Sequence, residues 1–205
     1  MSEADRVKWD THYRGRDCAA LAEPSPVLAE WLGCIEVNSS PPLAADVACG
    51  TGRHALYLAR HGWRVEAMDI SPVALARLAA MAAAEGLPIT CLERDFEPSS
   101  PDAAAALPSA RYDLAVMMRY TNLPLVAKLA GAIRPGGYLI AEAYLKTAAA
   151  PGGPRNPAYR VAPGEFEAAV ARDFELIECR EGRAHDRSGQ PSAVVQVLAR
   201  RKRGG

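Results

Sequence analysis

The sequence contains no apolar run long enough to cross a bilayer, since a membrane-spanning helix needs about 20 consecutive apolar residues. The segment from Met1 to Asp10 is charged, whereas a secretory leader has an apolar centre. Aromatic residues are also scarce, at 6% of the chain. We therefore expect a cytoplasmic protein with no membrane partner.

An excess of either charge is also absent, because 24 Lys and Arg residues balance 24 Asp and Glu residues. A neutral chain has no global field to attract a polyanion, which argues against a nucleic-acid partner. The basic run from Arg200 to Arg203 is interpreted as a solvated terminus. The chain has 205 residues, 49% of them hydrophobic, which suits one domain. We expect residues 1–40 to form a helical cap and residues 41–205 the core of a monomer or homodimer.

Patterns typical of metal sites and disulfides are absent as well. The five cysteines are odd in number and include no CxxC pair, and the four histidines lie at unrelated spacings. We predict no metal site and reduced thiols. The residues concerned are Cys18, Cys34, Cys49, Cys91 and Cys179, with His12, His54, His61 and His185.

Short apolar runs alternate with Ala-rich helical stretches, which is typical of a parallel sheet covered by helices. Ser71 before Pro72 predicts a helix start, and Gly86 before Pro88 predicts a helix end. Two short helices are predicted ahead of the sheet, around Trp9 to Tyr13 and over Pro26 to Leu32. The predicted parallel strands are Leu43–Ala48, Arg64–Ile70, Ile89–Asp95, Asp113–Met118 and Tyr138–Leu145.

The last two strand-like runs, Phe174–Glu181 and Ala193–Arg200, are joined by a short polar loop. A crossover between parallel strands needs a dozen or more residues, so these two runs are predicted to pair antiparallel. The predicted fold is α/β: a Rossmann-like, seven-stranded, mostly parallel sheet with helices on both faces and a C-terminal antiparallel hairpin. A standard dehydrogenase domain is built instead from two repeated βαβαβ halves.

The segment after the first predicted strand is rich in glycine and runs directly into helical sequence. Gly50, Gly52 and Ala55 match the dinucleotide-binding spacing G-x-G-x-x-G/A. Glycine lets the backbone turn tightly and approach a ligand, and the following helix offers N–H groups. Tight turns that bind nothing show the same spacing, so the neighbouring residues decide the interpretation.

Acidic residues end each of the first three predicted strands. Asp46 precedes the glycine loop, where a carboxylate favours a cationic ligand: two unit charges about 4 Å apart interact by about 4 kcal/mol at an effective dielectric near 20. Asp69 follows about 20 residues after the first glycine, where an acid accepts hydrogen bonds from ribose hydroxyls. Asp95, followed by Phe96, is placed to accept from an exocyclic amine while the ring packs on a purine. Exposure to solvent in a loop would explain any one of these acids. It is a less good explanation for acids at three successive strand ends.

These residues resemble the class I S-adenosylmethionine-dependent methyltransferases, and the resemblance covers nearly the whole chain. Residues 46–52 look like the family's glycine-rich loop, Asp69 like its ribose acid, and Asp95 with Phe96 like its adenine-contacting pair. Residues 135–138 look like its turn into the fifth strand. One departure is Ala48, which replaces the usual first glycine of the loop, and we expect a slightly wider loop there.

A narrower resemblance points to one branch of the family. The motif Trp9-Asp10-x-x-Tyr13 and the segments 152–157 and 163–166 look like the branch that includes tellurite-resistance and thiopurine methyltransferase-like proteins. The resemblance implies S-adenosylmethionine as the cofactor and a small molecule as the methyl acceptor. The implied cofactor-binding residues are Asp46, Ala48, Cys49, Gly50, Gly52, Asp69, Ile70, Asp95 and Phe96.

The acceptor side is defined by fewer residues. Arg119, after the fourth strand, is predicted either to bind an anionic group or to pair with a nearby acid. His12 is the candidate general base, with Tyr13 beside it, and the loop Thr147–Pro163 is a candidate lid. Packing or surface placement explains each of these equally well.

Two other functions remain open. An NAD(P)-dependent oxidoreductase shares the glycine spacing but requires affinity for an anionic dinucleotide, which Asp46 disfavours. A non-catalytic regulatory protein that holds a nucleoside cofactor is the second alternative, because the acceptor residues form no recognised motif.

Overall fold

The computed structural model describes residues 3–15, 23–96, 107–147, 152–185 and 190–203. These residues form seven strands, six α-helices and one short 3-10 helix, Pro157–Tyr159. The helices are α1 (Glu3–Arg14), α2 (Pro26–Leu32), α3 (Arg53–Arg60), α4 (Pro72–Glu85), α5 (Leu123–Ala132) and α6 (Glu165–Val170). The strands are β1 (Leu43–Val47), β2 (Arg64–Asp69), β3 (Ile89–Glu93), β4 (Tyr112–Met118), β5 (Ile133–Tyr144), β6 (Phe174–His185) and β7 (Pro191–Arg201).

Helix α4 begins and ends where its capping residues predict. The Ser71 side chain accepts a hydrogen bond from the Ala74 amide, and Gly86 adopts a left-handed φ of 64° at the other end. Helix α5 begins in the same way, because the Asn122 side chain accepts from the Leu125 amide. These polar caps satisfy amides that the first turn of a helix leaves unpaired.

The strand order β3-β2-β1-β4-β5-β7-β6 confirms the predicted sheet. Strands β1 to β5 pair in parallel, and β7 lies antiparallel between β5 and β6. The chain order reverses between β1 and β4, which is where ligands bind in open α/β sheets. The carboxyl ends of the parallel strands therefore mark the candidate site.

Strands β5, β6 and β7 are longer than predicted, and β7 runs from Pro191 to Arg201 rather than over Ala193–Arg200. Strand β5 begins at Ile133 rather than Tyr138, because Ile133 pairs with Tyr112 ahead of a register shift. Strand β6 extends to His185, because its pairing with β7 continues to Pro191. The hairpin is consequently a long two-stranded extension of the sheet.

Strand β3 is shorter than predicted. Its last residue, Glu93, pairs with Asp69 at the end of β2, and the next amide, Arg94 N, donates to the Asp69 carbonyl at 3.0 Å. Asp95 therefore lies in the connection after β3 rather than at the strand end. The prediction of a strand through Asp95 was wrong because β2 offers no further partner.

Two apolar layers cover the sheet. On one face Leu28, Trp31 and Leu56 belong to a cluster with residues of α2, α3 and α4. On the other face Leu129 and Phe166 belong to a cluster with residues of α5 and α6. Because side chains alternate along each strand, β1 to β5 contribute to both layers.

A polar cluster ties together the amino-terminal end of β4. The Asp113 carboxylate accepts hydrogen bonds from the Leu43 amide at 2.9 Å, from Ser39 Oγ at 2.8 Å and from Arg134 Nη1 at 2.8 Å. This end of the sheet lies opposite the candidate site. Its contacts join the entry to β1, the start of β4 and the start of β5.

Helices α1 and α2 precede β1, as the sequence predicts. The division into a cap over 1–40 and a core over 41–205 stays a prediction, and residues 16–22, which include Cys18, lie outside the described residues. None of the described helices is both long and apolar enough to pass through a lipid bilayer.

Candidate active site

The loop after β1 turns through left-handed backbone conformations. Ala48, Gly50 and Gly52 have φ values of 54°, 57° and 79°. A Cβ on Gly52 would lie 2.3 Å from a methyl carbon of the buried Leu78 on α4, so this position requires glycine. The left-handed conformation costs Ala48 about 1–2 kcal/mol, because its Cβ comes close to the following carbonyl oxygen. A glycine at this position would not be strained.

Asp46 is buried at the end of β1, with 1% of its surface exposed. The backbone amide of Ala55, in the first turn of α3, donates a hydrogen bond to this carboxylate, while Oδ2 is buried without a hydrogen bond. Desolvation, with Asp69 adding to it, raises the pKa of Asp46 to about 7. The buried oxygen beside the glycine loop fits a ligand that brings a cation or a hydrogen-bond donor.

Asp69 connects the glycine loop to the start of α4. Its Oδ2 accepts from the Gly50 amide at 2.7 Å, and its Oδ1 accepts from the Ser71 amide at 2.9 Å. Each oxygen of a carboxylate can accept more than one hydrogen bond, so this anchoring is compatible with ribose hydroxyls as additional donors. Ile70, the next residue, is half-buried.

The connection after β3 brings Phe96 into the core. Its side chain is buried in the same cluster as Met68 and Met117. Its carbonyl accepts from Asn122 Nδ2 at 2.9 Å, which ties this connection to the start of α5. Asp95 is half-buried beside it. Contact of these two residues with an adenine ring stays a prediction.

Arg119 pairs with a buried acid, which was one of its two predicted roles. Its Nε lies 2.7 Å from Oε1 of Glu142, which is fully buried on β5, and its Nη2 donates to the His185 carbonyl at 2.6 Å. Burial alone would lower the pKa of Arg119, but the Glu142 charge raises it. Arg119 also has a left-handed φ of 60°. Its charge is therefore already compensated.

Glu142 is the centre of this polar cluster, and the sequence interpretation did not include it. Its Oε2 accepts from Gln196 Nε2 at 2.7 Å and from Ser25 Oγ at 3.3 Å, and the Ser25 amide donates to His54 Nε2 at 3.2 Å. An acid inside the apolar run of β5 was the available indication, because a buried charge needs partners.

Helix α1 packs its aromatic residues together beside α4. Trp9, His12 and Tyr13 have ring centroids 5.1 to 6.0 Å apart. Between them, the buried Asp10 accepts a hydrogen bond from Ser71 Oγ at 2.5 Å. The structure thus places His12 and Tyr13 on a helix that is hydrogen-bonded to Ser71, whose amide donates to Asp69.

A cleft of about 300 Å³ opens beside the carboxyl ends of β4 and β5. It lies between the start of α5 and the segment before α6, part of the predicted lid; residues 148–151 of that loop lie outside the described residues. Thr121 Oγ1 donates to the Tyr159 carbonyl at 3.0 Å, and Lys8 of α1 lies 5.4 Å from the Tyr159 ring centre. The lining residues are Thr121, Asn122, Leu123, Pro124, Lys146, Ala158, Arg160, Val161 and Glu165.

Cys49, in the glycine loop, is a buried thiol. Desolvation, together with the charges of Asp46 and Asp69, raises the pKa of Cys49 well above its usual range, so it is no thiolate nucleophile. Within the described ranges, no group of three or more His, Cys, Asp or Glu side chains is arranged to hold a metal ion.

These features define a fold that solved methyltransferases also have. The sheet reverses between β1 and β4 and ends in an antiparallel hairpin, an arrangement similar to that of solved S-adenosylmethionine-dependent methyltransferases. Residues 44–137 match a family model described as a methyltransferase domain.

Known proteins are similar to this chain in sequence or in fold. Hemagglutinin 1 of Eikenella corrodens is 31% identical over 179 residues, which cover 79% of this chain and 55% of that protein. The chain thus spans little more than half the length of this curated relative. TehB from Haemophilus influenzae superposes with a TM-score of 0.72 at 23% identity, over 95% of this chain and 67% of TehB. A SAM-dependent methyltransferase from Methanosarcina mazei gives 0.68 at 16% identity, over 89% and 100%.

Proposed function

We propose that this protein transfers a methyl group from S-adenosylmethionine to a small-molecule acceptor. The observation that carries the proposal is the pairing of Asp46, whose Oδ2 is buried without a hydrogen bond, with a glycine loop anchored to Asp69. A carboxylate at that point repels the pyrophosphate of a dinucleotide and attracts the ammonium of an amino acid. The oxidoreductase alternative is therefore disfavoured.

Each residue of the loop region has a proposed binding role. Asp46 and the glycine loop of residues 48–52, including Cys49, hold the amino-acid end of the cofactor, and Asp69 accepts from the ribose hydroxyls. Ile70, Asp95 and Phe96 line the site of the adenine ring. When bound, S-adenosylmethionine supplies an electrophilic methyl group on a sulfonium. The protein must then align the acceptor with it and exclude water, and alignment is worth about 7–11 kcal/mol of the barrier.

The cleft beside α5 is the proposed acceptor site. Its volume of about 300 Å³ suits a small molecule, and its wall at Asn122 is hydrogen-bonded to Phe96 of the proposed adenine site. His12 acts as general base where the acceptor carries a proton, with Tyr13 packed against it at 5.1 Å. Arg119 acts by holding β4, β5 and the end of β6 together, since Glu142 compensates its charge.

The finer parts of the proposal rest on sequence and similarity. The likeness to TehB supports membership of the tellurite-resistance branch. The balanced charge supports the absence of a nucleic-acid partner. A cytoplasmic location, a monomeric or homodimeric state and the absence of a membrane partner stay predictions from the sequence. The test of the acceptor class is a panel that contains thiols, chalcogen oxyanions and small carboxylic acids.

Calorimetry with two cofactors separates the main alternatives. We expect S-adenosylhomocysteine to bind and NADH not to bind. An Asp69→Ala variant should lose about 1–3 kcal/mol of S-adenosylhomocysteine affinity, because ribose hydroxyls lose an acceptor. Binding of NADH without S-adenosylhomocysteine would reverse the assignment in favour of an oxidoreductase.

Transfer is tested with S-adenosylmethionine labelled on the methyl group. We expect label to appear on a member of the acceptor panel when wild-type protein is present, and to be lost in the Asp46→Asn variant. Cofactor occupancy without transfer to any acceptor would favour the non-catalytic regulatory alternative.

A further inference from the structure

Helix α1 is joined to the glycine loop by one continuous chain of buried hydrogen bonds. Ser71 Oγ donates to Asp10 Oδ1 at 2.5 Å, the Ser71 amide donates to Asp69 Oδ1 at 2.9 Å, and the Gly50 amide donates to Asp69 Oδ2 at 2.7 Å. Asp10, Ser71 and Asp69 are all buried. This series of hydrogen bonds therefore runs from α1 to the loop between β1 and α3.

The Ser71 hydroxyl fixes the direction of this chain. A serine hydroxyl donates one hydrogen bond, and Ser71 Oγ already accepts from the Ala74 amide at 3.2 Å as the cap of α4. Its proton is therefore directed to Asp10, in a charge-assisted bond of the short kind. Loss of the Asp10 acceptor would free the hydroxyl to rotate, and the Ser71 backbone that orients Asp69 would lose one of its restraints.

We propose that Asp10 is a positioning residue of the cofactor site, which aligns the Asp69 carboxylate toward the ribose through Ser71. This inference rests on the proposed function. It makes α1 a part of the cofactor site, although the Asp10 carboxylate is directed to Ser71. The effect is specific to the ribose of a nucleoside, because Asp69 is the member of this hydrogen-bonded series that is proposed to contact the ligand.

Two nucleosides test this specificity. Adenosine and 2′,3′-dideoxyadenosine are measured as competitors of S-adenosylhomocysteine on wild-type protein, on Asp10→Ala and on the control Thr11→Ala. Thr11 is the exposed neighbour on the same helix, and its Oγ1 donates to the Val7 carbonyl. We expect Asp10→Ala to weaken adenosine about tenfold, as for residues that orient a binding group, with less than a twofold change for dideoxyadenosine. Thr11→Ala should change neither.

Hydrogen exchange of the ligand-free protein gives an independent measurement. The amides of Gly50 and Ser71 should exchange faster in Asp10→Ala than in wild type, and at the wild-type rate in Thr11→Ala. If Asp10→Ala fails to fold, Asp10→Asn keeps an oxygen that accepts from Ser71, and we expect a smaller loss that is still confined to adenosine.

The outcomes separate this inference from the proposed function. Equal losses for both nucleosides, or no loss, would overturn the positioning role while S-adenosylhomocysteine binding upheld the function. Failure of wild-type protein to bind S-adenosylhomocysteine would overturn the function, and unchanged exchange at Gly50 and Ser71 would separately refute the hydrogen-bonded chain.

Discussion

Asp46 combines a buried position with a negative charge, and its ionisation follows from that conflict. Its pKa of about 7 lies above the ordinary value of 3.8, mainly because burial disfavours the charged form. The folded protein therefore binds a proton at Asp46 that the unfolded chain releases near pH 4. This group favours the folded state below about pH 4, and that contribution is lost as the pH rises through 7.

The first prediction concerns Asp46→Asn, which keeps the shape and removes the charge. We expect the free energy of unfolding of wild type to fall relative to the variant between pH 4 and pH 8, by on the order of 4 kcal/mol at 1.36 kcal/mol per pKa unit. Urea unfolding at both pH values measures it. The exposed Asp173→Asn is the control and should follow the wild-type profile. Identical profiles for wild type and Asp46→Asn would contradict the raised pKa.

The second prediction separates backbone strain from close packing in two glycines. Gly52→Ala should lower the free energy of unfolding by about 2–4 kcal/mol, from a left-handed φ and from overlap with Leu78. Gly62→Ala is the matched control: its φ is 85°, but no atom lies within 4 Å of the added Cβ. It should lose only about 1–2 kcal/mol. Equal losses in thermal unfolding would show that Leu78 moves away freely.

At the scale of elements, the ends of β4 and β5 are joined by one buried ion pair. Glu142 is fully buried on β5, and the Arg119 guanidinium after β4 compensates its charge. Removal of Arg119 would leave a buried negative charge without its cation. A buried acid left without its partner costs about 3–5 kcal/mol. The proposed acceptor cleft lies beside these strand ends, and its lining residues Thr121 and Lys146 come shortly after β4 and β5 in the chain. We therefore expect its shape to depend on this pair.

The third prediction follows from that pair. Arg119→Ala should lower the free energy of unfolding at pH 7 by about 3–5 kcal/mol, and the added change Glu142→Gln should recover most of the loss. Chemical unfolding of the two variants measures both steps. A full loss that persists in the double variant would place the effect in the backbone at Arg119 instead.

The order of elements was predictable from sequence, and several of their contacts were not. Capping residues and alternating apolar runs predicted α4, the parallel strands and the hairpin, because these depend on neighbours in sequence. The end of β3 was missed because it depends on where β2 stops pairing. The Ser71 bond to Asp10 and the Glu142 cluster join residues far apart in the chain, and no local pattern encodes which acid meets which donor. The sequence therefore predicted the glycine loop and the acids of the candidate site, and their contacts with a ligand stay predictions. It did not predict the hydrogen bonds that position these residues.

At the scale of the whole molecule, both apolar layers share one sheet, which predicts cooperative unfolding. The fourth prediction is a single thermal transition that S-adenosylhomocysteine shifts upward. At 100 times its Kd the ligand adds about 2.7 kcal/mol, or about 5–10 °C for a domain of this size. Differential scanning calorimetry measures the transition. Two separate transitions would contradict a single domain, and an equal shift with NADH would contradict cofactor selectivity.

The cluster around Asp113 has a consequence for how such a chain can diversify. It fastens the amino-terminal rim of the sheet with bonds to Leu43, Ser39 and Arg134, on the side away from the glycine loop. These bonds hold the starts of the strands together and do not involve the loops at the carboxyl ends of the strands. Those loops are therefore free to change in length and in side chains. Substitutions in the loops at the carboxyl ends of the strands can thus accommodate new acceptors, while the amino-terminal ends keep the sheet intact.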